Sequence, residues 1–488
     1  MRVARCCFYP LTSLASFLAC HTAMTLPGRV LSSDRKSVTL LSNSRCIYEN
    51  LAAEEALLRA VVVEPDQQLL FMYANRPCVV VGRNQNHLQE VACRTVQRDG
   101  VALARRSSGG GAVYHDEGNV CFSFITHRTA YDPAKSIQLL RLFLSFEYGV
   151  HPDRITSTSR HDLFLDGKKI TGSAMRVQRD IAFHHCTLLV SSSYERLGMY
   201  LHSDGEYVAF STSSVASVRA PVTTLERSGV LPPESKDSGD VVQDIKVAAA
   251  NFFVRHASEI LSNHAPWEMH PSVFIPQNDV KSLEKESGSI FILNVTDALL
   301  EDTPMVDGEG RKPIAGSSRS IREETNRLRS VEWLFSMPKF ETRVAISLTE
   351  LLKWKSDTPN CCYISTDDLV YFMQGHNRLD VSVVVERRRI TSITSFWFKD
   401  ATDMQQESWC TCLLKVILEE HYVDDANIDL SEANTLLASA MQLECRDLLE
   451  DMPSPHRSSE DKLTAMRCFL QAVSSVWRYK NVFLSPSC

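Results

Sequence analysis

One run constrains this chain more than any other: Arg105-Arg106-Ser107-Ser108-Gly109-Gly110-Gly111-Ala112-Val113-Tyr114-His115-Asp116, followed by Gly118-Asn119. Three consecutive glycines let the backbone enter positive-φ regions and approach a ligand closely. Successive exposed N–H groups in such a turn form a concave nest for an anion. The two upstream arginines carry permanent charge and suit phosphate or carboxylate. A bare triple glycine would read as a flexible surface loop. Here Val101, Leu103 and Ala104 precede it, and Val120, Phe122 and Phe124 alternate after it. That pattern sets the glycines between two half-buried strands, which favours an anion-binding loop in a rigid sheet. It is not a P-loop, because no Gly-Lys-Ser/Thr and no helical pattern follow the glycines.

The chain has 488 residues, enough for two domains and an insertion. Strand-like and helix-like segments alternate from Cys46 to about Arg227, which argues an α/β (α+β) domain with a mixed sheet. Val241 to Leu261 reads as a helix. From Asn263 to Ser320 the periodicity fades into Pro, Ser, Gly and charge, as in an insertion or linker. An extra ordered subdomain is the alternative, with Ile290-Phe291-Ile292-Leu293 as one strand of it. The expected division is 1–33 leader, 46–261 catalytic domain, 262–329 insertion or linker, and 330–488 smaller α+β accessory domain. In the last, Leu379–Val385 and Ile390–Phe398 read as a hairpin around Glu386-Arg387-Arg388-Arg389. That arginine triplet is a solvated turn or a contact for an acidic partner. Helical patterns cover Trp409–Glu420, Leu430–Leu449 and Lys462–Trp477.

A net charge of −7 argues against nucleic-acid binding, and no apolar stretch is long enough to span a membrane. Fifteen scattered cysteines show no zinc spacing, so no metal ligands are assigned and reduced thiols are expected. Residues 1–33 contain Arg2, Arg5 and Arg29 but no acidic residue, the composition of a mitochondrial transit peptide. The apolar residues 8–20 keep a secretory signal as the alternative.

Asp162-Leu163-Phe164-Leu165-Asp166-Gly167-Lys168-Lys169-Ile170-Thr171 carries a hairpin signal, since Asp-Gly suits a type I′ turn. In that register Phe164 faces Lys169, and Asp162, Lys169, Thr171 and Ser173 share one side. On the residues alone this reads as a surface hairpin with two solvated lysines. In the strand-like Phe183–Leu189, His184 and His185 project to opposite faces, so they do not chelate one metal. Cys186 and Cys121 read as packing residues rather than nucleophiles.

The glycine run resembles the lipoate–protein ligase family, whose signature Arg-Arg-x-Ser-Gly-Gly-Gly-x-Val-x-His-Asp-x-Gly-Asn it matches at every fixed position. The resemblance continues in order. It takes in Asn50-Leu51-Ala52-Ala53-Glu54-Glu55, Gly82-Arg83-Asn84-Gln85-Asn86, Asp162-Leu163 with Lys169-Ile170-Thr171-Gly172-Ser173-Ala174, Phe183 to Leu189, and Ser217-Val218-Arg219 with Val222-Thr223. It is clear over 46–226 and resumes weakly at Glu332-Trp333, Pro338 and Phe340.

The resemblance implies an ATP-dependent lipoate–protein ligase, forming lipoyl-adenylate with Mg2+ and passing lipoyl to an acceptor lysine. It makes Lys169 the catalytic cation, holding the lipoate carboxylate and the α-phosphate together. Arg106 and the Gly111, Ala112, Val113 and Tyr114 backbone would hold ATP. His115 and His185, with Arg106 and Lys169, would contact lipoate, and Asp162, Gly109, Gly110 and Asn119 would support the site. The implied partners are lipoyl domains of 2-oxoacid dehydrogenase E2 subunits or the glycine cleavage H protein, which points to the mitochondrial matrix. The alternatives are a lipoyltransferase (amidotransferase) using lipoyl-AMP or a lipoylated protein as donor, and a non-catalytic binder. Three features depart from the family pattern: His161 where asparagine is common, Pro221 where a second arginine often stands, and the insertion with its enlarged C-terminal part.

Overall fold

The computed structural model describes residues 36–203, 209–231, 240–261, 290–293, 295, 321–357, 365–373, 377–386 and 389–398, with scattered positions from 458 to 476. In chain order the first elements are β1 (Ser37–Ser42), α1 (Ile47–Ala60), β2 (Gln68–Tyr73), β3 (Cys78–Val81), α2 (His87–Glu90), α3 (Cys93–Arg98), β4 (Ala102–Arg105), β5 (Val113–His115) and β6 (Asn119–His127). Next come α4 (Pro133–Tyr148), β7 (Ile155–Ser157), β8 (Leu163–Leu165), β9 (Lys168–Lys169), β10 (Ser173–Val177), β11 (Ile181–Leu189), α5 (Tyr194–Tyr200) and β12 (Ala209–Thr212). The last are α6 (Val241–Leu261), β13 (Ile290–Leu293), α7 (Ile321–Arg329), α8 (Val331–Leu334), β14 (Phe340–Ser347), α9 (Leu348–Asp357), α10 (Thr366–Phe372), β15 (Arg378–Glu386) and β16 (Arg389–Phe398). The fold class is therefore mixed α/β, as the alternating pattern implied.

Two compact units interleave along the chain. The first draws on residues up to 80, 106–195 and 218–329, and the second on 81–105, 196–217 and 330 onward. The first is built on a six-stranded sheet in the order β10-β11-β6-β2-β1-β13. It is mixed: β2, β1 and β13 run parallel, while β6, β11 and β10 join antiparallel. Ile290–Leu293 thus supplies a strand of the main sheet rather than of a separate subdomain, pairing with Thr39–Ser42.

The alternation along β6 is real, but only one side of it was legible. Val120, Phe122 and Phe124 pack with Phe143 of α4 and with Phe252 and Phe253 of α6. Cys121, Ser123 and Ile125 point to the other face, which is buried as well. The strand is buried on both sides rather than half-buried, because α1 covers the second face. Asn50, Ala53, Glu54 and Leu57 are buried along that helix, at the i, i+3 and i+4 spacings of one helical stripe. Two polar residues on an otherwise apolar stripe mark where the site begins.

The Asp-Gly hairpin forms in the expected register, with Phe164 opposite Lys169 and Leu165 opposite Lys168. Asp166 and Gly167 both take positive φ, 49° and 76°, as a type I′ turn requires.

The second unit carries an antiparallel sheet in the order β12-β14-β15-β16. Along β14 buried Phe340, Thr342, Val344 and Ile346 alternate with half-buried residues, the pattern of a strand with one core-facing side. The Leu379–Phe398 hairpin forms, with Glu386 opposite Arg389; Arg387 and Arg388 lie outside the described residues. Helix α10 begins at a capping box between Ser365 and Asp368, and its Phe372 stacks on Phe469 at 5.0 Å. Of the expected Lys462–Trp477 helix, positions 464, 465, 468, 469, 472, 473 and 476 are helical. Residues 1–33, most of 262–320, and the expected helices over 409–420 and 430–449 lie outside the described residues. No helix among the described residues is long and apolar enough to cross a membrane.

Candidate active site

The glycine loop leaves Arg106 and returns as β5, which pairs antiparallel with β3 from Cys78–His115 to Val80–Val113. Gly110 sits at φ 89°, and a Cβ there would lie 2.9 Å from Arg106 Nη2 and 3.3 Å from Ala174 Cβ. The loop is thus wedged between an arginine and the start of β10. Gly118 is more confined, since a Cβ would come within 2.5 Å of the Ser192 backbone nitrogen. Asp116 closes this corner by accepting from the backbone N–H of Gly118 at 3.0 Å and of Ser193 at 2.9 Å. Asn119 begins β6, and its Nδ2 donates to Cys121 Sγ at 3.4 Å. Replacing Gly110 by valine is expected to weaken pyrophosphate binding at the loop by about tenfold or more, because a β-branched residue resists this φ and displaces Arg106. Calorimetric titration beside a circular-dichroism melt checks this; an unchanged affinity would make the loop a plain turn.

The two arginines do different things. Arg106 is buried and directs its donors at its own loop. Nη2 donates to the carbonyls of Gly109 at 2.6 Å and Gly111 at 2.8 Å. Nε donates to Ser108 Oγ at 3.1 Å and Nη1 to the Val80 carbonyl at 3.3 Å. Burial lowers its pKa to about 10, which leaves it charged at neutral pH. By tying down these carbonyls, Arg106 leaves the N–H groups of Gly109, Gly110 and Gly111 without partners among the described residues. Successive N–H groups of this kind are the donors an anion nest uses. The Val113 and Tyr114 backbone, by contrast, belongs to the β3–β5 pair. Arg105 spends its donors on backbone carbonyls. It is fully buried in the second unit, and its Nη1 donates to the Gly82 and Gln85 carbonyls at 2.8 Å each while Nε donates to Leu334 O at 2.8 Å.

Lys169 ends β9, and its backbone is held on both sides. Its N–H donates to the Pro221 carbonyl at 2.8 Å, and its carbonyl accepts from Thr223 N at 2.9 Å. Proline at 221 is compatible with this role because it is used only as an acceptor. The Lys169 side chain is 21% exposed, and Nζ lies 2.7 Å from Asp162 Oδ2, whose side chain is 11% exposed. The other oxygen of Asp162 accepts from Ser173 N at 3.0 Å. The carboxylate is therefore fixed from one side while it positions the lysine from the other. His161, just before it, has φ 61°. Asparagine and histidine both tolerate this left-handed region better than most residues, which accounts physically for the departure at this position. The lysine also lies near the start of β5: a Cβ on Gly172 would lie 3.9 Å from both Lys169 Cε and Val113 Cγ1.

His184 and His185 do part to opposite faces. His184 lies on the helix-covered side, with Nε2 3.0 Å from Ser173 Oγ. His185 lies across the sheet from Ser123, on the α1 side. Its Nδ1 is 3.3 Å from both oxygens of Glu54, and its Nε2 is 2.9 Å from Ser108 Oγ. Ser123 Oγ donates to Glu54 as well. His115 is buried behind the loop, accepting at Nδ1 from Asn75 Nδ2 at 3.1 Å. Asn75 is held in turn by Asn50 at 2.9 Å and Asn50 by Ser42 at 2.6 Å. Of the residues expected at the site, the first unit brings Lys169, Asp162, Gly109–Gly111, Arg106 and His185 around one loop. His115 and Asn119 line its underside.

Glu54 and Ser123 were not singled out by sequence reasoning. The only trace of Glu54 was a carboxylate on the apolar stripe of α1. Cys121 and Cys186 are buried thiols whose pKa values burial raises well above the ordinary range, so both are packing residues, as expected. Among the described residues no group of three His, Cys, Asp or Glu is placed to hold a metal ion.

Burial lowers the pKa values of His115 and His184 from the usual 6.5 to about 3. Below pH 6.5 the unfolded chain takes up protons that these two sites refuse until about pH 3. Stability is therefore full above pH 6.5 and falls with acidification, by at most about 1.4 kcal/mol per pH unit for each histidine. Urea unfolding between pH 7.5 and pH 4.5 should show this slope, and His184→Gln should flatten it. An unaltered slope in that variant would assign the acid sensitivity elsewhere.

The first unit thus carries on its mixed sheet a glycine loop and a lysine held by a carboxylate. Residues 46–244 match the family model described as Lipoyl protein ligase A/B catalytic domain. Over these residues the chain is similar to the lipoate–protein ligases and lipoyltransferases. One curated relative is the mitochondrial lipoyl amidotransferase LIPT1 of Mus musculus, 39% identical over 198 residues. The match takes in 40% of this chain and 52% of the relative, so the chain spans about half the length of that protein. Among solved structures, P. falciparum LipL1 in complex with lipoate is similar at 18% identity, over 91% of this chain and 99% of that one, with a TM-score of 0.43. Lipoate-protein ligase A bound with ATP is 22% identical over 45% of this chain and 85% of that chain, with a TM-score of 0.34.

Proposed function

We propose that this protein is a lipoyl amidotransferase. It takes lipoyl from the lysine amide of one lipoylated protein and passes it to a lysine on the lipoyl domain of another. The single observation that carries the reading is Lys169, held 2.7 Å from Asp162 in the same unit as a glycine loop whose N–H groups have no partner among the described residues. A fixed cation and preorganised N–H donors stabilise the oxyanion that develops when an amine attacks an acyl carbon. The 39% identity over 198 residues to a lipoyl amidotransferase supports acyl exchange between proteins over synthesis of a new adenylate. The glycine cleavage H protein suits the donor role and E2 lipoyl domains of 2-oxoacid dehydrogenases the acceptor role.

The compartment proposed is the mitochondrial matrix, from the acid-free, arginine-bearing composition of residues 1–33 and the mitochondrial relative. The proposed catalytic domain is 46–261 together with β13 and α7, and residues 330–488 make the accessory domain.

The second reading is an ATP-dependent ligase, favoured by the same nest, whose three successive N–H groups also suit a phosphate. In that case Lys169 would neutralise the repelling carboxylate and α-phosphate, and the loop would orient the nucleotide. Mg2+ would offset the remaining phosphate charge.

One experiment separates the two. The full chain is incubated with lipoylated H protein and an unmodified E2 lipoyl domain, without nucleotide, and the acceptor is weighed by mass spectrometry. Transfer is expected. Modification only when free lipoate, Mg2+ and ATP are supplied would replace the amidotransferase by the ligase.

A further inference from the structure

Three side chains in the first unit, Ser108, His185 and Glu54, form a relay that lipoyl handling by Lys169 leaves unused. Ser108 Oγ lies 2.9 Å from His185 Nε2, and His185 Nδ1 lies 3.3 Å from each oxygen of Glu54. They come from the glycine loop, β11 and α1, and meet only because His185 and Ser123 are opposed across β11 and β6. Ser123 donates its hydroxyl proton to Glu54, which fixes the carboxylate.

The hydrogen-bond directions follow from the donor inventory. Glu54 accepts only, so the Nδ1 that faces it carries the proton. Nε2 of the neutral ring is then an acceptor. Arg106 Nε already donates to Ser108 Oγ at 3.1 Å, so the serine's own proton is directed at His185. The guanidinium also favours the alkoxide that forms as that proton leaves. A nucleophile, a base and a group orienting the base, all within hydrogen-bond reach, are the signature of an activated hydroxyl.

We propose that Ser108 is the acyl-accepting nucleophile of the transfer, so that lipoyl rests on the enzyme as a serine ester between donor and acceptor. The inference rests on the amidotransferase reading for its donor. Ser108 Oγ attacks the lipoyl amide carbon while its proton passes to His185 Nε2. The oxyanion faces the N–H groups of Gly109 and Gly110, which follow the nucleophile in the chain. The C–N bond breaks as His185 returns the proton to the departing lysine nitrogen, and the donor protein leaves with a free amine. The acceptor lysine then attacks the ester and gives a proton to His185, which restores it to Ser108 Oγ as the C–O bond breaks. One amide replaces another, with no oxidant and no nucleotide. The burial of Ser108 and Glu54 keeps water from the ester, which would otherwise hydrolyse.

The test uses the full-length protein and the p-nitrophenyl ester of lipoate, with neither ATP nor acceptor. A burst of one nitrophenolate per protein is expected, with a hydroxylamine-sensitive lipoyl group mapped to Ser108 by mass spectrometry. Ser108→Ala should lose burst and adduct, and Ser108→Cys should carry a thioester instead. His185→Gln and Glu54→Gln should slow the burst by roughly 10²-fold with unchanged circular dichroism. An adduct on Lys169 or elsewhere, or no adduct on the native protein, overturns the assignment whatever the variants do. The adduct with no transfer from a lipoylated protein keeps the serine and rejects that donor. Native-rate transfer by Ser108→Ala keeps the donor and rejects the serine.

Discussion

Replacing Lys169 by alanine lowers lipoyl transfer by roughly 10²–10³-fold, with the fold retained. The loss is expected because a carboxylate holds the Lys169 ammonium in place, at 2.7 Å from Asp162. Folding depends little on it. Its backbone bonds to Pro221 and Thr223 do not involve the side chain, and Asp162 keeps its bond from Ser173 N. Lys169→Arg is expected to fail almost as badly, since a planar fork replaces a compact point charge and cannot occupy the same place beside Asp162. Single-turnover transfer to an E2 lipoyl domain, with a thermal melt alongside, reads both effects. Near-native transfer by the alanine variant would remove Lys169 from the chemistry.

Arg105→Ala has its effect on stability instead. The guanidinium is fully buried and donates to the carbonyls of Gly82, Gln85 and Leu334. Trp333 Nε1 donates to the Arg105 carbonyl at 2.7 Å and keeps the backbone in place. Truncation takes the guanidinium from the Gln85 and Leu334 carbonyls and leaves Gly82 O only its bond from Gln85 N at 3.2 Å, and losses of about 3–5 kcal/mol are usual for breaking such a buried charged network. Arg105→Lys should recover only part of this, because one ammonium cannot span carbonyls that a planar group reaches on two sides. Denaturant unfolding measures it. If the alanine variant unfolds at the native midpoint while losing activity, Arg105 belongs to the site and not to the scaffold.

The contrast between these adjacent arginines shows where reading the chain by itself stops. In sequence they are one basic pair before a glycine run, and both suit an anion. Strand alternation alone cannot say that Arg105 points into the Leu334 region while Arg106 turns back on its own loop. The partners of Arg105 include a residue more than 200 positions away, and no local periodicity carries that information. The same holds for Glu54. Its segment entered only through the resemblance of Asn50–Glu55, and its pairing with His185, 131 positions on, arises only when α1 covers the β6–β11 face.

What local chemistry decided is nevertheless substantial. The Asp166-Gly167 turn, the register that sets Lys169 on the side of Asp162, the opposite faces of His184 and His185, and the inert burial of Cys186 were all set by residue type and period. These depend on backbone sterics and on the two-residue repeat of a strand, which act over a few residues and survive in any context. Tertiary structure decided the rest: that Ile290–Leu293 closes the edge of the main sheet, that Arg106 holds the loop open, and that Ser108, His185 and Glu54 converge. Each depends on side chains meeting across separate elements, and such meetings are selected by packing the whole core rather than by any one segment.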